Sequence, residues 1–434
     1  MSTATTTRTA TASRHMTGFW FVAVAFLTLM AFGTVPTPLW SIYQTRDHFG
    51  ATTVTVAFAV MVVGAAASFR LLGHLSDRLG RRRIIVPALL VGILSALVLA
   101  VWPDLPGLIL GRVLTGVAVG LMASTATAYL TDLYSEARPA ETGSPKPGLV
   151  ATAVNLGGLA LGPLVAGALA QWGPAPLHTS YLVFGALMTV LLGLVLSSPE
   201  TVDTEAADES RPVRFALRPG QGAVFGAAAA VGFFAFAVMG LFSSLGAIIV
   251  RGELGITSYF VAGLAPFTAF AASAVAQLAL GRVSLAKVLP IGTVLFPIGL
   301  ALTALSLYRP TLWLALTAAG LAGAGAGLLF KSAVTQTMIA ADPGSRAGVL
   351  ATFFVITYFG TGAPSIAFSL VIQHIALKPA MFGFATVLSV GTIAAVAIAL
   401  RRGSTQRGGS AQRGGSTERG GSVVSGSSAG GGDQ

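Results

Sequence analysis

Residues 73–83 have the sequence Gly73-His-Leu-Ser-Asp77-Arg78-Leu-Gly80-Arg81-Arg-Arg83, a short polar segment between two apolar ones. The flanking segments, 52–72 and 84–102, each match the roughly 20 apolar residues that a helix needs to cross a bilayer. Helices are favoured over strands because an open sheet in lipid would leave backbone groups unpaired. This stretch therefore predicts two membrane-spanning helices joined by a basic loop.

The composition of the whole chain agrees with a membrane protein. Hydrophobic residues make up 54% of the 434 residues and charged residues only 9%, against roughly 25% charge in soluble domains. The sequence contains no cysteine, which excludes disulfides, thiolate catalysis and cysteine metal sites. Apolar segments of spanning length occur at 18–43, 52–72, 84–102, 107–131, 148–171, 179–198, 220–249, 258–280, 288–307, 311–338, 347–373 and 379–400.

A polar stretch divides these twelve predicted helices into two groups of six. We predict a cytoplasmic N-terminal tail over 1–16, a first six-helix bundle over 17–198, a linker over 199–219 and a second bundle over 220–401. The tail over 402–434 repeats Arg-Gly-Gly-Ser, and its composition predicts disorder. Its arginines fit a flexible tail near anionic lipid, and the alternative is an RNA-binding repeat.

Lys and Arg are distributed unevenly between the two sides of this topology. Of the 26 basic residues, 19 lie on the side that holds both termini and four lie on the other side. The positive-inside rule therefore predicts cytoplasmic termini. The abundance of Arg, Ala and Gly is typical of a bacterial chain, so we expect the protein in a bacterial inner membrane.

The two halves of the sequence resemble each other. Gly116 and Gly120 of helix 4 match Gly323 and Gly327 of helix 10 at a constant offset of 207 residues. Weaker matches of the same kind link helix 5 to helix 11. Parallel repeats of this type are typical of transporters that expose one site alternately to the two sides of the membrane.

The loop at 73–83 resembles the signature loop of the major facilitator superfamily, whose members have twelve helices in two pseudo-symmetric six-helix bundles. That resemblance implies an all-α integral membrane fold. It also implies that Asp77 meets the start of helix 11 and that Arg81 pairs with an acid at the end of helix 4, where Asp132 stands. These contacts would hold the cytoplasmic side closed. The predicted gating residues are Gly73, Asp77, Arg78, Gly80, Arg81 and Asp132.

Two further segments resemble motifs of transporters in that superfamily. Arg112 on helix 4 resembles its helix-4 arginine motif, and the alternative is an arginine that reaches the periplasmic interface. Helix 5 resembles the Gly-Pro motif of the drug:proton antiporters, with generic small-residue packing as the alternative. The residues of that motif are Gly158, Gly162, Pro163 and Gly167.

Acidic residues are missing from the centres of the predicted helices. Many proton-coupled exporters of this superfamily carry a membrane-embedded acid on helix 1, which puts the site of proton coupling here in doubt. The candidates for coupling are Asp47, Arg112 and His374.

A substrate cavity between the bundles would be lined by aromatic, amide and sulfur-containing side chains. Aromatic and Met residues suit a promiscuous cavity, although they suit a lipid-facing surface equally well. Lys331 either faces the cavity or reaches the cytoplasmic interface. The predicted cavity residues are Asn155, Phe236, Met239, Gln277, Lys331, Gln336, Phe354 and Tyr358.

These features predict a secondary active transporter and not an enzyme, because no nucleophile–base pair, nucleotide-binding loop or metal cluster is present in the sequence. We expect proton-coupled export of small amphipathic or drug-like molecules, and the alternative is an uptake carrier or facilitator for a small metabolite. The expected partners are a small-molecule substrate, the lipid bilayer and protons, with no cofactor, metal or nucleic acid. We expect a monomer.

Overall fold

The computed structural model describes residues 2–72, 78–202 and 215–417. Twelve helices in this part are long and apolar enough to cross a membrane, which confirms the predicted fold class. They are α1 (Ser2–Thr34, continued as Pro36–Asp47), α2 (Ala51–Leu72), α3 (Arg81–Val101), α4 (Leu105–Ala137), α5 (Lys146–Trp172), α6 (Pro176–Leu196), α7 (Gly222–Leu241, continued through a π-helical turn, Phe242–Gly246, to Ala247–Glu253), α8 (Tyr259–Ala279), α9 (Leu285–Tyr308), α10 (Leu312–Ala340), α11 (Arg346–Val371) and α12 (Leu377–Thr417).

Each group of six helices has its own apolar core. The core of the first bundle contains buried residues between Phe19 and Val195. The core of the second contains residues between Phe225 and Val396, together with Ala160 from α5. We call these the N-bundle and the C-bundle. Burial within each bundle and exposure of apolar side chains such as Val190 and Val387 on the outside are expected for helices that face lipid.

The glycine repeat has a structural cause, because it brings two helices into close contact in each bundle. A Cβ added to Gly116 of α4 would lie 2.1 Å from the carbonyl oxygen of Met61 on α2. A Cβ added to Gly323 of α10 would lie 2.1 Å from the carbonyl oxygen of Ala269 on α8. Helix α8 occupies the place of α2 after six helices, so the two bundles repeat the same packing.

We name the two ends of the bundles by the chain. The terminal side is where α1 begins and α2 ends, and the far side is where α1 ends at Asp47 and α2 begins at Ala51. The bundles pack against each other through α2 with α11 and through α5 with α8. Helix α7 also contacts the far-side half of α1.

Three segments differ from the sequence prediction. Helix α1 begins at Ser2 and α12 continues to Thr417, whereas the sequence predicted tails over 1–16 and 402–434. Both additions extend an existing helix, which needs no new nucleation. The linker ends in a short β-bridge between Leu217 and Ala341, which ties it to the turn after α10. Residues 203–214 and 418–434 lie outside the described part.

Candidate functional site

The terminal side of the N-bundle carries the predicted gating pair. Arg81 begins α3 and Asp132 lies near the end of α4, and Arg81 Nε is 3.1 Å from Asp132 Oδ2. The hydroxyl of Thr201 lies 3.4 Å from the same carboxylate oxygen. The pairing suggested by the resemblance is therefore present in the structure, while its role in gating stays a prediction.

Sequence reasoning missed Glu200, which binds the start of α3. Its carboxylate accepts hydrogen bonds from the backbone N–H of Arg81 at 2.8 Å and of Arg82 at 3.1 Å. The first N–H groups of a helix have no partner within the helix, and a carboxylate there also meets the positive end of the helix dipole. Gly80 leads into this contact with φ of 106°, a conformation that favours glycine. The only sequence signal was an acid four residues after the end of α6.

Two of the predicted gating residues, Gly73 and Asp77, lie outside the described residues. Arg78 is exposed on the turn before α3 and takes part in contacts there. The proposed contact of Asp77 with the start of α11 therefore stays a prediction.

The predicted coupling residues differ in burial. Asp47 binds its neighbour, with Arg46 Nε 2.7 Å from Asp47 Oδ1 at the far-side surface. His374 is exposed beyond the end of α11. Arg112, in contrast, is only 1% exposed inside the N-bundle. Of the three candidates, only Arg112 is buried in the bundle interior, and the role of each in coupling stays a prediction.

The guanidinium of Arg112 is held by groups without charge. Its Nη1 donates to the carbonyl oxygen of Gly33 at 3.1 Å, where Pro36 interrupts α1, and its Nη2 lies 2.8 Å from the sulfur of Met61. Its Cζ lies 5.8 Å from the ring centroid of Trp40. Its Nε has no hydrogen-bond partner among the described residues.

Aromatic side chains form one cluster where α2, α7, α10 and α11 meet. Phe69 of the N-bundle lies 5.0 Å from Phe354 and 5.9 Å from Tyr358 between ring centroids. Phe236 lies 4.7 Å from Phe330 and 6.1 Å from Tyr358. These five rings are half-buried, and we call them the aromatic cluster. Phe236, Phe354 and Tyr358 were predicted, and Phe69 and Phe330 were missed because aromatic residues also occur on lipid-facing surfaces.

Three of the predicted cavity residues carry polar groups that are free to bind a ligand. The Tyr358 hydroxyl makes no hydrogen bond within the described part of the chain. Asn155 and Gln336, two further predicted cavity residues, are also half-buried, and their side-chain amides have no partner among the described residues. Such groups are available to a ligand.

Three predicted cavity residues are engaged elsewhere. Met239 is 6% exposed within the C-bundle core. Gln277 donates to the Ser273 hydroxyl on its own helix at 3.4 Å. Lys331 Nζ donates to the carbonyl oxygen of Leu280, at the terminal-side end of α8, at 2.8 Å. The lysine thus binds the negative end of a helix dipole, and the structure favours the interfacial alternative.

The helix-5 motif packs α5 against α1 and α8. A Cβ on Gly158 or Gly162 would lie 2.4 or 2.2 Å from a backbone oxygen of α1. Pro163 has no N–H for the carbonyl of Leu159, and the Thr34 hydroxyl donates to that carbonyl at 3.0 Å.

The contact of this motif with α8 joins the two bundles. A Cβ on Gly167 would lie 2.9 Å from the carbonyl oxygen of Tyr259, and a Cβ on Gly263 would lie 2.5 Å from that of Pro163. Larger side chains here would force the bundles apart. This geometry fits both the motif and the generic packing alternative.

Hydrogen bonds between the bundles close the far side. The hydroxyls of Thr55 on α2 and Ser369 on α11 lie 2.9 Å apart, and both residues are fully buried. Trp40 Nε1 of α1 donates to the carbonyl oxygen of Ser243 on α7 at 3.1 Å. The side-chain oxygen of Gln171 on α5 accepts from the backbone N–H of Tyr259 on α8 at 2.9 Å.

Comparison with known proteins decides the family. The family model of the Major Facilitator Superfamily matches residues 21–287. The chain belongs to the major facilitator superfamily. Membership makes it a multi-pass membrane transporter and not an enzyme. The fold also resembles the solved nucleoside transporter NupG, with a TM-score of 0.70 and 14% identity over 88% of this chain and 99% of that one.

Curated relatives of this superfamily member match over short stretches. The chain is 39% identical to the glucose transporter of Staphylococcus epidermidis over 82 residues, which are 19% of this chain and 18% of that protein. It is 36% identical to the arabinose-proton symporter of Bacillus subtilis over 84 residues, again 19% and 18%. The matches span about a fifth of each protein. They are sugar carriers, so the predicted drug:proton antiporter branch is not confirmed.

Proposed function

We propose that this superfamily transporter is an uptake carrier or facilitator for a small metabolite in a bacterial inner membrane. Its termini would face the cytoplasm, and it would act as a monomer. This is the alternative that the sequence left open, and it replaces drug export as the leading interpretation.

One observation carries the proposal: the described membrane interior contains no carboxylate placed for proton-driven export. Asp47, the acid among the predicted coupling residues, binds Arg46 at the far-side surface. The remaining described acids lie at helix ends or in loops, as Asp104, Asp132 and Glu200 do. The short matches to sugar carriers also support uptake over drug export.

The aromatic cluster is the proposed binding site. Half-buried rings from both bundles can pack on the apolar face of a small molecule, while the Tyr358 hydroxyl can bind one of its polar groups. Phe69 belongs to one bundle and Phe354 to the other, so movement of the bundles would open and close this site.

The test is radiolabelled uptake in cells that do or do not make the protein. The panel contains a pentose, a hexose, a nucleoside and a monocarboxylate, and ethidium accumulation is followed in parallel with and without an uncoupler. We expect faster initial uptake of at least one metabolite and unchanged ethidium accumulation. Uncoupler-sensitive loss of ethidium, with no metabolite uptake, would contradict the proposal.

Matched variants locate the site within the same assay. Phe354→Ala removes a ring of the cluster, whereas Phe382→Ala removes a ring of α12 that is 64% exposed. We expect the first variant to lower uptake at equal expression and the second to leave it unchanged. Equal uptake by both variants would place the substrate elsewhere.

A further inference from the structure

Arg112 is a buried cation without an anionic partner among the described residues. Its side chain lies inside the N-bundle, where the groups in contact with it come from α1 and α2. Among the described acids, Asp47 is held by Arg46 and Asp132 by Arg81. A charge removed from water is costly unless it is paired and fully hydrogen-bonded.

The hydrogen bonds of Arg112 are also incomplete. The Gly33 carbonyl is a normal acceptor at 3.1 Å, but the second contact, at 2.8 Å, is to the thioether sulfur of Met61, which accepts only weakly. The N–H of Nε has no acceptor. A planar guanidinium has five N–H donors that suit a carboxylate or phosphate, so this side chain keeps unused capacity for such a group.

Trp40 contacts both Arg112 and a residue of α7 that helps to close the far side. The indole ring lies beside the guanidinium, and its N–H donates to the carbonyl oxygen of Ser243 across the bundle interface. Ser243 lies in the π-helical turn of α7, where the usual pairing of carbonyls four residues along is interrupted. When the far side opens, this hydrogen bond must break, and Trp40 is then free to uncover Arg112.

We propose that Arg112 binds an anionic oxygen group, a carboxylate or a phosphate, that enters from the far side when Trp40 moves away. The group comes either from the transported metabolite or from an inorganic ion that accompanies it. The first source rests on the proposed uptake function and narrows its substrate to acids. Arg112 thus acts by binding an anion, and not by exchanging a proton with a carboxylate.

The experiment titrates the purified full-length protein with sodium acetate, phosphate and chloride at constant ionic strength and follows its melting temperature. We expect saturable stabilisation by acetate or phosphate and none by chloride, which serves as the control anion. Arg112→Gln should weaken the apparent affinity roughly thirtyfold or more, the effect of losing one partner of a buried charge pair. The apparent affinity of Arg112→Lys should lie between those of the parent and Arg112→Gln, because lysine keeps the charge and lacks the planar guanidinium. The control variant Arg251→Gln, at the far-side end of α7, should bind the anion with the apparent affinity of the parent.

The Trp40→Phe variant tests whether Trp40 blocks access to Arg112. This test does not depend on whether Arg112→Gln folds. The variant keeps an aromatic ring at this position and removes the N–H that binds Ser243, so the apparent affinity for the anion should rise about fivefold. An unchanged or lower affinity would overturn the role of Trp40. Salt-induced stabilisation that is equal in the parent, Arg112→Gln and Arg112→Lys would overturn the anion site.

Further arms separate the two sources of the anion and the two proposals. Saturation by phosphate, unaffected by the transported metabolite, assigns an inorganic ion. Competition between acetate and the metabolite assigns a group of the substrate. Metabolite uptake without an Arg112-dependent anion response would support the proposed uptake function and overturn the anion site. A protein that binds anions through Arg112 and takes up no metabolite loses only the proposed uptake.

Discussion

The hydroxyl pair of Thr55 and Ser369 provides a direct test of far-side closure. Thr55→Val removes the hydrogen bond between α2 and α11 and nearly preserves the volume. Ser369 keeps its bond to the Ile366 carbonyl, so no buried hydroxyl is left without a partner. The expected loss is therefore that of one ordinary hydrogen bond, about 1 kcal/mol in favour of the open far side. That energy corresponds to roughly a fivefold change in the ratio of open to closed molecules.

The assay is the rate at which a membrane-impermeant maleimide labels Ile248→Cys. Ile248 packs against the cores of both bundles at the far-side end of α7, and the parent chain has no cysteine to give a background signal. We expect Thr55→Val to raise the labelling rate about fivefold.

Two controls make this assay specific. The double variant Thr55→Val, Ser369→Ala should be labelled at nearly the same rate as Thr55→Val, because both changes remove the same hydrogen bond. Thr303→Val removes a buried hydroxyl that binds only within α9, and it should leave the rate unchanged. An unchanged or slower rate in Thr55→Val would refute the assignment of this pair as part of the closure.

Three further predictions concern the terminal side and the orientation. Glu200→Gln should lower the melting temperature by a few degrees, since it removes about 1 kcal/mol of charge interaction with the start of α3, and Glu136→Gln on the exposed face of α4 is its control. Lys331→Met should take up substrate as fast as the parent, because the Lys331 ammonium binds the end of α8 and not the substrate. Abolished uptake at normal expression would instead indicate that Lys331 lies on the substrate path. A reporter fused after 403 should signal from the cytoplasm and one fused after 172 from the periplasm, and the reverse pattern would overturn the predicted topology.

The spanning helices could be predicted because each is a local property of the sequence. A run of about 20 apolar residues must cross the bilayer as a helix whatever its neighbours are, and the loop at 73–83 separates two such runs. The repeat that relates Gly116 to Gly323 was also visible, because the two glycines recur at a fixed offset, and the structure adds that both pack closely against a neighbouring helix. These signals are independent of how each helix is rotated about its axis.

The direction of individual side chains could not be predicted, because rotation about the helix axis decides it. Lipid and protein interior are both apolar, so a membrane helix has little amphipathic pattern to reveal which face is buried. Lys331 therefore had two possible positions in the sequence analysis, and the structure places it at the end of α8. Asp47 was a candidate for proton coupling, and the structure pairs its carboxylate with the neighbouring Arg46.

The measurement that tests alternating access most directly is uptake by a protein whose far side can be locked. In the variant Thr55→Cys, Ser369→Cys, the two sulfur atoms replace hydroxyls 2.9 Å apart, and no other cysteine can compete. Oxidation of this variant in proteoliposomes should abolish metabolite uptake, and reduction should restore it. Unchanged uptake by the fully cross-linked protein would contradict the claim that the far side must open in each transport cycle.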